Sequence, residues 1–191
     1  MPRKVPPTKA ALGLFTPGYR TKWSDPEWTN GLSRTAKGLY QQIIEQPAIS
    51  RVGVVTRDPQ ALADQHYDAR VEEIEEDLRE LEDKRYILTY GPHMFVRRWF
   101  RYNRSSRNVN HLGPMLREID GIGRKELRIV VVQALLEDLC ESARQGEPLA
   151  PAIIDLLTEF TSRWEVPMPD AILKARKPPR ATRLRAVGGS R

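Results

Sequence analysis

The sequence has little cysteine, few aromatic residues and no long apolar run. Cys140 is the only cysteine among the 191 residues, which excludes an internal disulfide and a cysteine-rich zinc site. The longest uninterrupted apolar run is Ile129 to Val132, far below the roughly 18 residues that cross a bilayer. The basic N-terminus lacks the apolar block of a signal peptide. These absences predict a cytoplasmic, nucleoid-associated protein without membrane contact.

What the chain does have is basic residues concentrated in three segments. The formal net charge is +6, but residues 1–22, 97–107 and 171–191 hold five, five and seven Lys or Arg and no carboxylate. The two blocks between them, 23–96 and 108–170, are acidic overall. Basic segments beside folded blocks are typical of proteins that bind phosphate backbones, because each neutralised phosphate releases condensed counterions. The alternative is that these segments only keep the protein soluble.

Capping residues and apolar periodicity predict short elements in the first half. Ser33 is the expected N-cap of a first helix, and residues 53–55 read as a brief strand. Asp58-Pro59 opens a short second helix. Asp68 is the expected N-cap of a longer helix whose apolar residues recur at steps of three and four.

Two runs rich in β-forming residues follow. Residues 86–90 and 94–100 flank the turn Gly91-Pro92, a pattern that predicts a hairpin. A helix, a strand, two helices joined by a short turn, and a hairpin make up the winged helix-turn-helix arrangement.

Beyond residue 107 the apolar pattern is helical. It predicts helices over 109–119, 127–143 and 153–164 and a short final turn over 169–176. The expected fold is mainly α with a small β-hairpin, a winged helix-turn-helix followed by a helical C-terminal domain. The expected divisions are a basic N-terminal arm (1–22), the winged-helix domain (23–107), the helical domain (108–176) and a basic disordered tail (177–191).

Several short motifs of the first half match a known group of proteins. They are Trp23-Ser24-Asp25-Pro26, Leu32-Ser33-Arg34-Thr35-Ala36-Lys37-Gly38-Leu39-Tyr40, Gly53, Leu62-Ala63, Ile74, Leu78, Leu81, Arg85-Tyr86-Ile87 and Val96-Arg97-Arg98-Trp99-Phe100-Arg101-Tyr102-Asn103. On these residues, segment 19–103 resembles the N-terminal winged-helix domain of phage replisome-organiser and primosomal helicase-loader proteins. The resemblance implies binding to DNA at an origin, self-association, and recruitment of replication partners such as a replicative helicase.

The arginine-rich segment is the first candidate for DNA contact. It contains Arg97, Arg98, Arg101, Arg104 and Arg107, interleaved with Trp99, Phe100 and Tyr102. Arginine holds phosphate bidentately and stays charged. In a strand, Arg97 and Arg101 would share one face and Arg98 the other. We expect Arg97 or Arg98 to pair with the acidic helix and Arg104 and Arg107 to have freer access, with the aromatic residues packing in the core rather than stacking on bases.

The long helix is an unusual recognition helix because it is acidic. Its carboxylates are Asp68, Glu72, Glu73, Glu75, Glu76, Asp77, Glu80, Glu82 and Asp83. These repel phosphates, so base contact is expected only near its start. The candidates there are Gln65, His66, Tyr67 and Arg70, with Arg57 beside them. Alternatively, the outer face of the helix binds a basic surface of a second copy. Further phosphate contacts are expected from Arg3, Lys4, Lys177, Arg180, Arg183 and Arg185.

Catalytic patterns are weak. His66, His93 and His111 are scattered, and Gly121-Ile122-Gly123 reads as a turn joining two helices rather than a phosphate loop. Cys140 lies in an apolar stripe and reads as a core residue. We therefore expect no enzyme activity, no cofactor and no metal.

These observations favour a DNA-binding winged-helix protein in phage or plasmid replication initiation. Two other functions stay open. One is an oligomeric scaffold or adaptor that uses the acidic helix 68–84 and has little direct contact with DNA. The other is a transcriptional regulator, since the fold alone does not separate it from a replication protein.

Overall fold

The computed structural model describes residue 28, residues 31–65 and residues 69–175. This part of the chain is mainly helical, with a small antiparallel sheet of three strands. The elements are α1 (Arg34–Glu45), β1 (Val54–Thr56), α2 (Pro59–Asp64), α3 (Val71–Asp83), β2 (Ile87–Tyr90), β3 (His93–Val96), α4 (Trp99–Asn103), a 3-10 turn (Ser105–Arg107), α5 (Val109–Asp120), α6 (Lys125–Arg144), α7 (Pro151–Arg163) and α8 (Asp170–Lys174).

The first two helices begin where their caps predict. The Ser33 hydroxyl accepts a hydrogen bond from the Ala36 N–H at 3.1 Å, and Asp58 Oδ1 accepts one from the Ala61 N–H at 3.0 Å. Each bond satisfies a backbone donor that the first turn of a helix leaves without a partner. Pro59 occupies the first helical position of α2, where its missing N–H costs no hydrogen bond.

The long acidic helix, α3, begins at Val71 with Arg70 as its N-cap. The predicted N-cap, Asp68, lies outside the described residues. The Glu73 carboxylate accepts a hydrogen bond from the Arg70 backbone N–H at 3.0 Å, which closes the first turn. Ile74, Leu78 and Leu81 are buried, so the predicted apolar stripe is confirmed.

The hairpin is confirmed, and β1 joins it. The strand order is β1-β3-β2, with Phe95 of the central strand opposite Val54 on one side and Leu88 on the other. The Gly53 carbonyl continues the pairing by accepting a hydrogen bond from the Val96 N–H at 2.9 Å.

The predicted extent of the second hairpin strand is wrong. The strand ends at Val96, and residues 99–103 form the short helix α4 instead. A strand would turn Trp99 and Phe100 to opposite faces, whereas α4 buries both of them together with Tyr102. Burial of three large aromatic side chains therefore outweighs their preference for strands.

The helices predicted beyond residue 107 are present as α5 to α8. Trp164, which follows α7, donates its indole N–H to Asp120 Oδ1 at the end of α5, at 2.7 Å. The buried apolar residues form one continuous cluster that runs from Trp28 to Ile172. No helix in the described ranges has the length and apolar character needed to span a membrane.

Candidate nucleic-acid interface

Three exposed arginines lie on and beside the short helix α4. Arg97 lies in the turn before α4, Arg101 in its last turn and Arg104 at its C-cap, where the backbone is left-handed with a φ of +41°. They lie four and three positions apart in the chain. All three side chains are exposed, and among the described residues none of them forms an ion pair. We call Arg97, Arg101 and Arg104 the basic surface.

The aromatic residues between these arginines are anchored in the core. Trp99, Phe100 and Tyr102 are only 6%, 2% and 8% exposed, so the predicted core packing is confirmed. The indole N–H of Trp99 donates to the Arg51 carbonyl at 2.8 Å, which fixes the start of α4 against the loop before β1. Burial of one side of α4 thereby sets which side faces solvent.

Arg98 does not belong to the basic surface. Its side chain is half-buried, and its guanidinium carbon lies 5.6 Å from the ring centroid of Tyr86. This is a cation–π distance, at which the ring face attracts the charge. The DNA contact expected of Arg98 stays a prediction, and the structure places its guanidinium beside Tyr86.

Arg107 is also held by protein groups, and its predicted free access is wrong. It lies in the 3-10 turn and bonds Glu147 through one guanidinium nitrogen, while another lies 3.8 Å from Asp138 Oδ1. Only 21% of the Arg107 side chain and 7% of the Asp138 side chain are exposed. The Ser106 hydroxyl donates to Asp138 Oδ2 at 3.3 Å. Burial raises the pKa of Asp138, and Arg107 and Ser106 oppose that shift by stabilising the carboxylate.

The residues predicted near the start of the recognition helix have protein partners wherever they are described. Arg57 forms a two-point ion pair with Glu75 of α3, with Nη1 to Oε1 at 3.1 Å. The guanidinium of Arg70 bonds Glu73 at 2.9 Å, and Gln65 accepts a hydrogen bond from Gln42 at 3.2 Å. Arg57 and Arg70 thus both pair with carboxylates of the acidic helix.

Other predicted contact residues lie outside the described ranges. They are Arg3, Lys4, His66, Tyr67, Lys177, Arg180, Arg183 and Arg185. Their phosphate or base contacts remain predictions from the sequence.

Two carboxylates of α3 hold the start of α1. Glu80 Oε1 accepts a hydrogen bond from the Ser33 backbone N–H at 2.6 Å, and Asp77 Oδ1 accepts one from the Thr35 hydroxyl at 2.8 Å. The first turn of α1 contains no acidic residue of its own. Asp77 and Glu80 therefore place negative charge at the positive end of the α1 dipole. Part of the acidity of α3 thus stabilises the fold.

The outer face of α3 remains acidic. Glu72, Glu76 and Asp83 are exposed at helical spacing, with Arg79 between them, and the three carboxylates form no ion pair within the described part of the chain. A surface of this charge repels the phosphates that line a DNA groove. The structure thus shows that this part of the predicted acidity is exposed to solvent.

The Glu80 contact gives a prediction for Glu80→Gln. Hydrogen bonds from the Ser33 side chain and backbone N–H lower the pKa of Glu80. Its stabilising contribution is therefore present above the unfolded-state pKa of about 4.3 and is lost as the pH falls through the folded-state pKa. We expect Glu80→Gln to lower the free energy of unfolding by about 0.5 kcal/mol at pH 7, with the difference vanishing near pH 3.

Urea denaturation at the two pH values measures the Glu80 effect. Glu76→Gln is the matched control, because it removes an exposed carboxylate from the same helix without touching α1. Equal losses for both variants at pH 7 would show that the contact with Ser33 has no special stabilising effect.

A cleft of about 820 Å³ lies beside the basic surface. Arg97, Arg98 and Arg101 form one wall, and α6 together with the segment 166–169 forms the other. The α6 wall carries Glu137, Asp138 and Glu141 as well as Arg144, so the cleft is basic on one side and mainly acidic on the other. Arg144 approaches Glu141 to 3.8 Å. The sequence does not signal this meeting, because the α6 residues that line the cleft lie more than 30 positions after Arg101.

The hairpin turn at Gly91 also lies close to Arg124, a cation that is distant in the sequence. A Cβ atom on Gly91, whose φ is +62°, would lie 2.6 Å from Nη1 of Arg124. Arg124 is exposed and has no ion pair among the described residues. Sequence reasoning missed this arginine, since nothing local connects the start of α6 to the hairpin.

The described residues offer no assembled metal site, because no three of their His, Cys, Asp or Glu side chains are grouped to hold an ion. Burial raises the pKa of the Cys140 thiol, which opposes thiolate formation. Gly121-Ile122-Gly123 joins α5 to α6, as predicted.

A comparison of the chain with protein-family models, curated proteins and solved structures finds no match.

Proposed function

We propose that this protein binds DNA and that the basic surface on α4 contacts its phosphates. The observation that carries the proposal is the set of three exposed guanidinium groups on and beside α4, none of which forms an ion pair within the described part of the chain. Guanidinium groups pair bidentately with phosphate, and each contact releases counterions from the DNA. The basic segments at both ends of the sequence would add to the attraction.

The order of elements supports a winged-helix reading of the first half. Helix α1, strand β1, helices α2 and α3 and the hairpin follow one another, and β1 completes the sheet. On the resemblance of residues 19–103, we propose a role in phage or plasmid replication initiation, with a replicative helicase as a possible class of partner. The proposed DNA contact lies on α4 instead of α3, because the outer face of α3 is acidic.

The proposal predicts the behaviour of the triple variant Arg97→Ala/Arg101→Ala/Arg104→Ala. If each exposed ionic contact contributes about 0.7 kcal/mol, the variant should bind duplex DNA about thirty-fold more weakly at low salt. The slope of log affinity against log salt should decrease in magnitude by about 2.7, since three phosphate contacts are removed. Fluorescence anisotropy with labelled duplex DNA at several salt concentrations measures both quantities.

The matched control is Arg34→Ala/Arg79→Ala/Arg117→Ala. It removes three exposed arginines from α1, α3 and α5, so the net charge changes by the same amount while the basic surface stays intact. Equal weakening by the two triple variants would mean that overall charge, and not the basic surface, determines binding.

The exposed acidic face of α3 favours a second candidate, an oligomeric scaffold. In that case Glu72→Gln/Glu76→Gln/Asp83→Asn should reduce the oligomer mass measured by light scattering after gel filtration. No DNA binding by the full chain, together with this loss of mass, would favour the scaffold over the DNA-binding function.

A further inference from the structure

The acidic side of the cleft limits how a nucleic acid can lie on the basic surface. Glu137 and Glu141 are exposed on α6, one turn apart, and face the cleft whose opposite wall contains Arg97 and Arg101. A single strand that entered the cleft would bring its phosphates close to these carboxylates. Proteins that hold single strands in grooves use positively charged walls along the backbone.

Base stacking is also unavailable beside these arginines. Single-strand binders combine a basic groove with aromatic side chains on which unpaired bases stack. Here Trp99, Phe100 and Tyr102 are buried, and the indole of Trp99 is hydrogen-bonded to the Arg51 carbonyl. The basic surface therefore offers charge without a stacking platform.

The surface is equally unsuited to reading base sequence. Its three arginines lie within eight consecutive residues on and beside α4, a helix of only five residues. The outer face of α3, which is long enough to enter a major groove, is acidic at Glu72, Glu76 and Asp83. Phosphate contacts position a protein on DNA but carry no sequence information directly.

We infer that the basic surface binds the backbone of double-stranded DNA across the outer rim of the cleft, independently of base sequence. This inference depends on the proposed DNA-binding function and adds the class of substrate. A duplex carries one charge per about 1.7 Å of axis, a higher density than a single strand. The slope of log affinity against log salt has a magnitude of about 0.9 per phosphate contact for a duplex and about 0.7 for a single strand. Over three contacts, this difference favours the duplex about four-fold at 0.1 M salt.

The test compares the full chain with Arg97→Ala/Arg101→Ala/Arg104→Ala on three probes. The probes are two labelled duplexes of equal length and unrelated sequence, and one of their single strands. Because the variant retains both terminal segments, the affinity ratio isolates the basic surface. We expect a loss of about thirty-fold for both duplexes and less than ten-fold for the single strand.

A variant that weakens single-strand binding as much as duplex binding would overturn the inference while leaving DNA binding in place. A loss that differs ten-fold between the two duplexes would also overturn it, because the surface would then be reading sequence. If the full chain binds none of the probes, the proposed function fails and the inference fails with it.

A gain-of-binding variant tests the acidic wall directly. Glu137→Gln/Glu141→Gln removes the two exposed negative charges of the α6 wall. Among the described residues, these glutamates form one ion pair, between Glu141 and Arg144, and both of its side chains are exposed. We expect single-strand affinity to rise at least three-fold and duplex affinity to rise less. An equal rise for both probes would show that the carboxylates do not exclude single strands, and the inference would be rejected. A gain of binding is not explained by misfolding.

Discussion

Replacing Gly53 by alanine is expected to lower the free energy of unfolding by about 3 kcal/mol. Gly53 has a φ of +77°, a left-handed conformation that costs a residue with a Cβ roughly 1–2 kcal/mol. The new Cβ would also lie 2.5 Å from Cγ and 2.6 Å from Cβ of Trp99. Relief of this clash would require moving the buried Trp99 indole, and such overpacking costs roughly 1–3 kcal/mol. Urea denaturation followed by circular dichroism measures the change.

Gly146→Ala separates the two causes of the Gly53 effect. Gly146 has a φ of +79°, close to that of Gly53, but a Cβ there would meet no atom within 4 Å. We expect this control to lose only about 1 kcal/mol, from backbone strain alone. Similar losses in the two variants would contradict close packing of Trp99 on the Gly53 backbone.

Arg107→Ala is expected to lower the free energy of unfolding by about 3 kcal/mol at pH 7. The substitution leaves the Asp138 carboxylate, 7% exposed, without its nearest cation, and an unpaired buried charge costs roughly 3–5 kcal/mol. The Ser106 hydroxyl still donates to Asp138, so the lower part of that range is expected. Urea denaturation of the variant and the native protein gives the difference.

The pH dependence provides the control for Arg107. Burial already raises the pKa of Asp138, and loss of the Arg107 charge should raise it further. Stability from a carboxyl with a raised folded-state pKa is present below its unfolded-state pKa and is lost as the pH rises through the folded-state pKa. The variant should therefore be less destabilised at pH 4 than at pH 7. A loss that does not depend on pH would attribute the effect to packing alone.

Arg144→Ala provides a matched arginine removal. The Arg144 side chain is 69% exposed and lies 3.8 Å from an exposed Glu141. Surface pairs of this kind contribute about 0–1 kcal/mol, so little change is expected. A loss as large as that of Arg107→Ala would mean that burial does not distinguish the two pairs.

The helices were predictable because their signals are local. The Ser33 and Asp58 caps lie within three residues of the N–H groups that they satisfy, and the stripe of α3 repeats within its own turns. Helix α4 was missed because its deciding contacts are distant. Trp99 packs on Gly53 and bonds the carbonyl of Arg51, 48 positions away, and no local periodicity carries that information.

The candidate site was predictable in its residue types but not in its geometry. The arginine segment stands out by composition, yet only the structure shows that Arg97, Arg101 and Arg104 are exposed and form no ion pair among the described residues. Arg107 belongs to the same segment, but its partners Asp138 and Glu147 lie on and after α6. Long-range ion pairs thus distinguish Arg107 from the other arginines of the segment, although all five are the same residue type.

The orientation of α4, and with it the proposed phosphate contact, depends on packing elsewhere in the continuous core. A five-residue helix such as α4 does not persist alone in water, because isolated helices shorter than about 12 residues are marginal at best. Its orientation depends on the loop before β1, through Trp99, and on α6, through the Ser106 and Arg107 contacts with Asp138. Loosening of α6 would therefore scatter the three guanidinium groups and weaken the proposed contact with DNA without altering any residue that we propose to touch it.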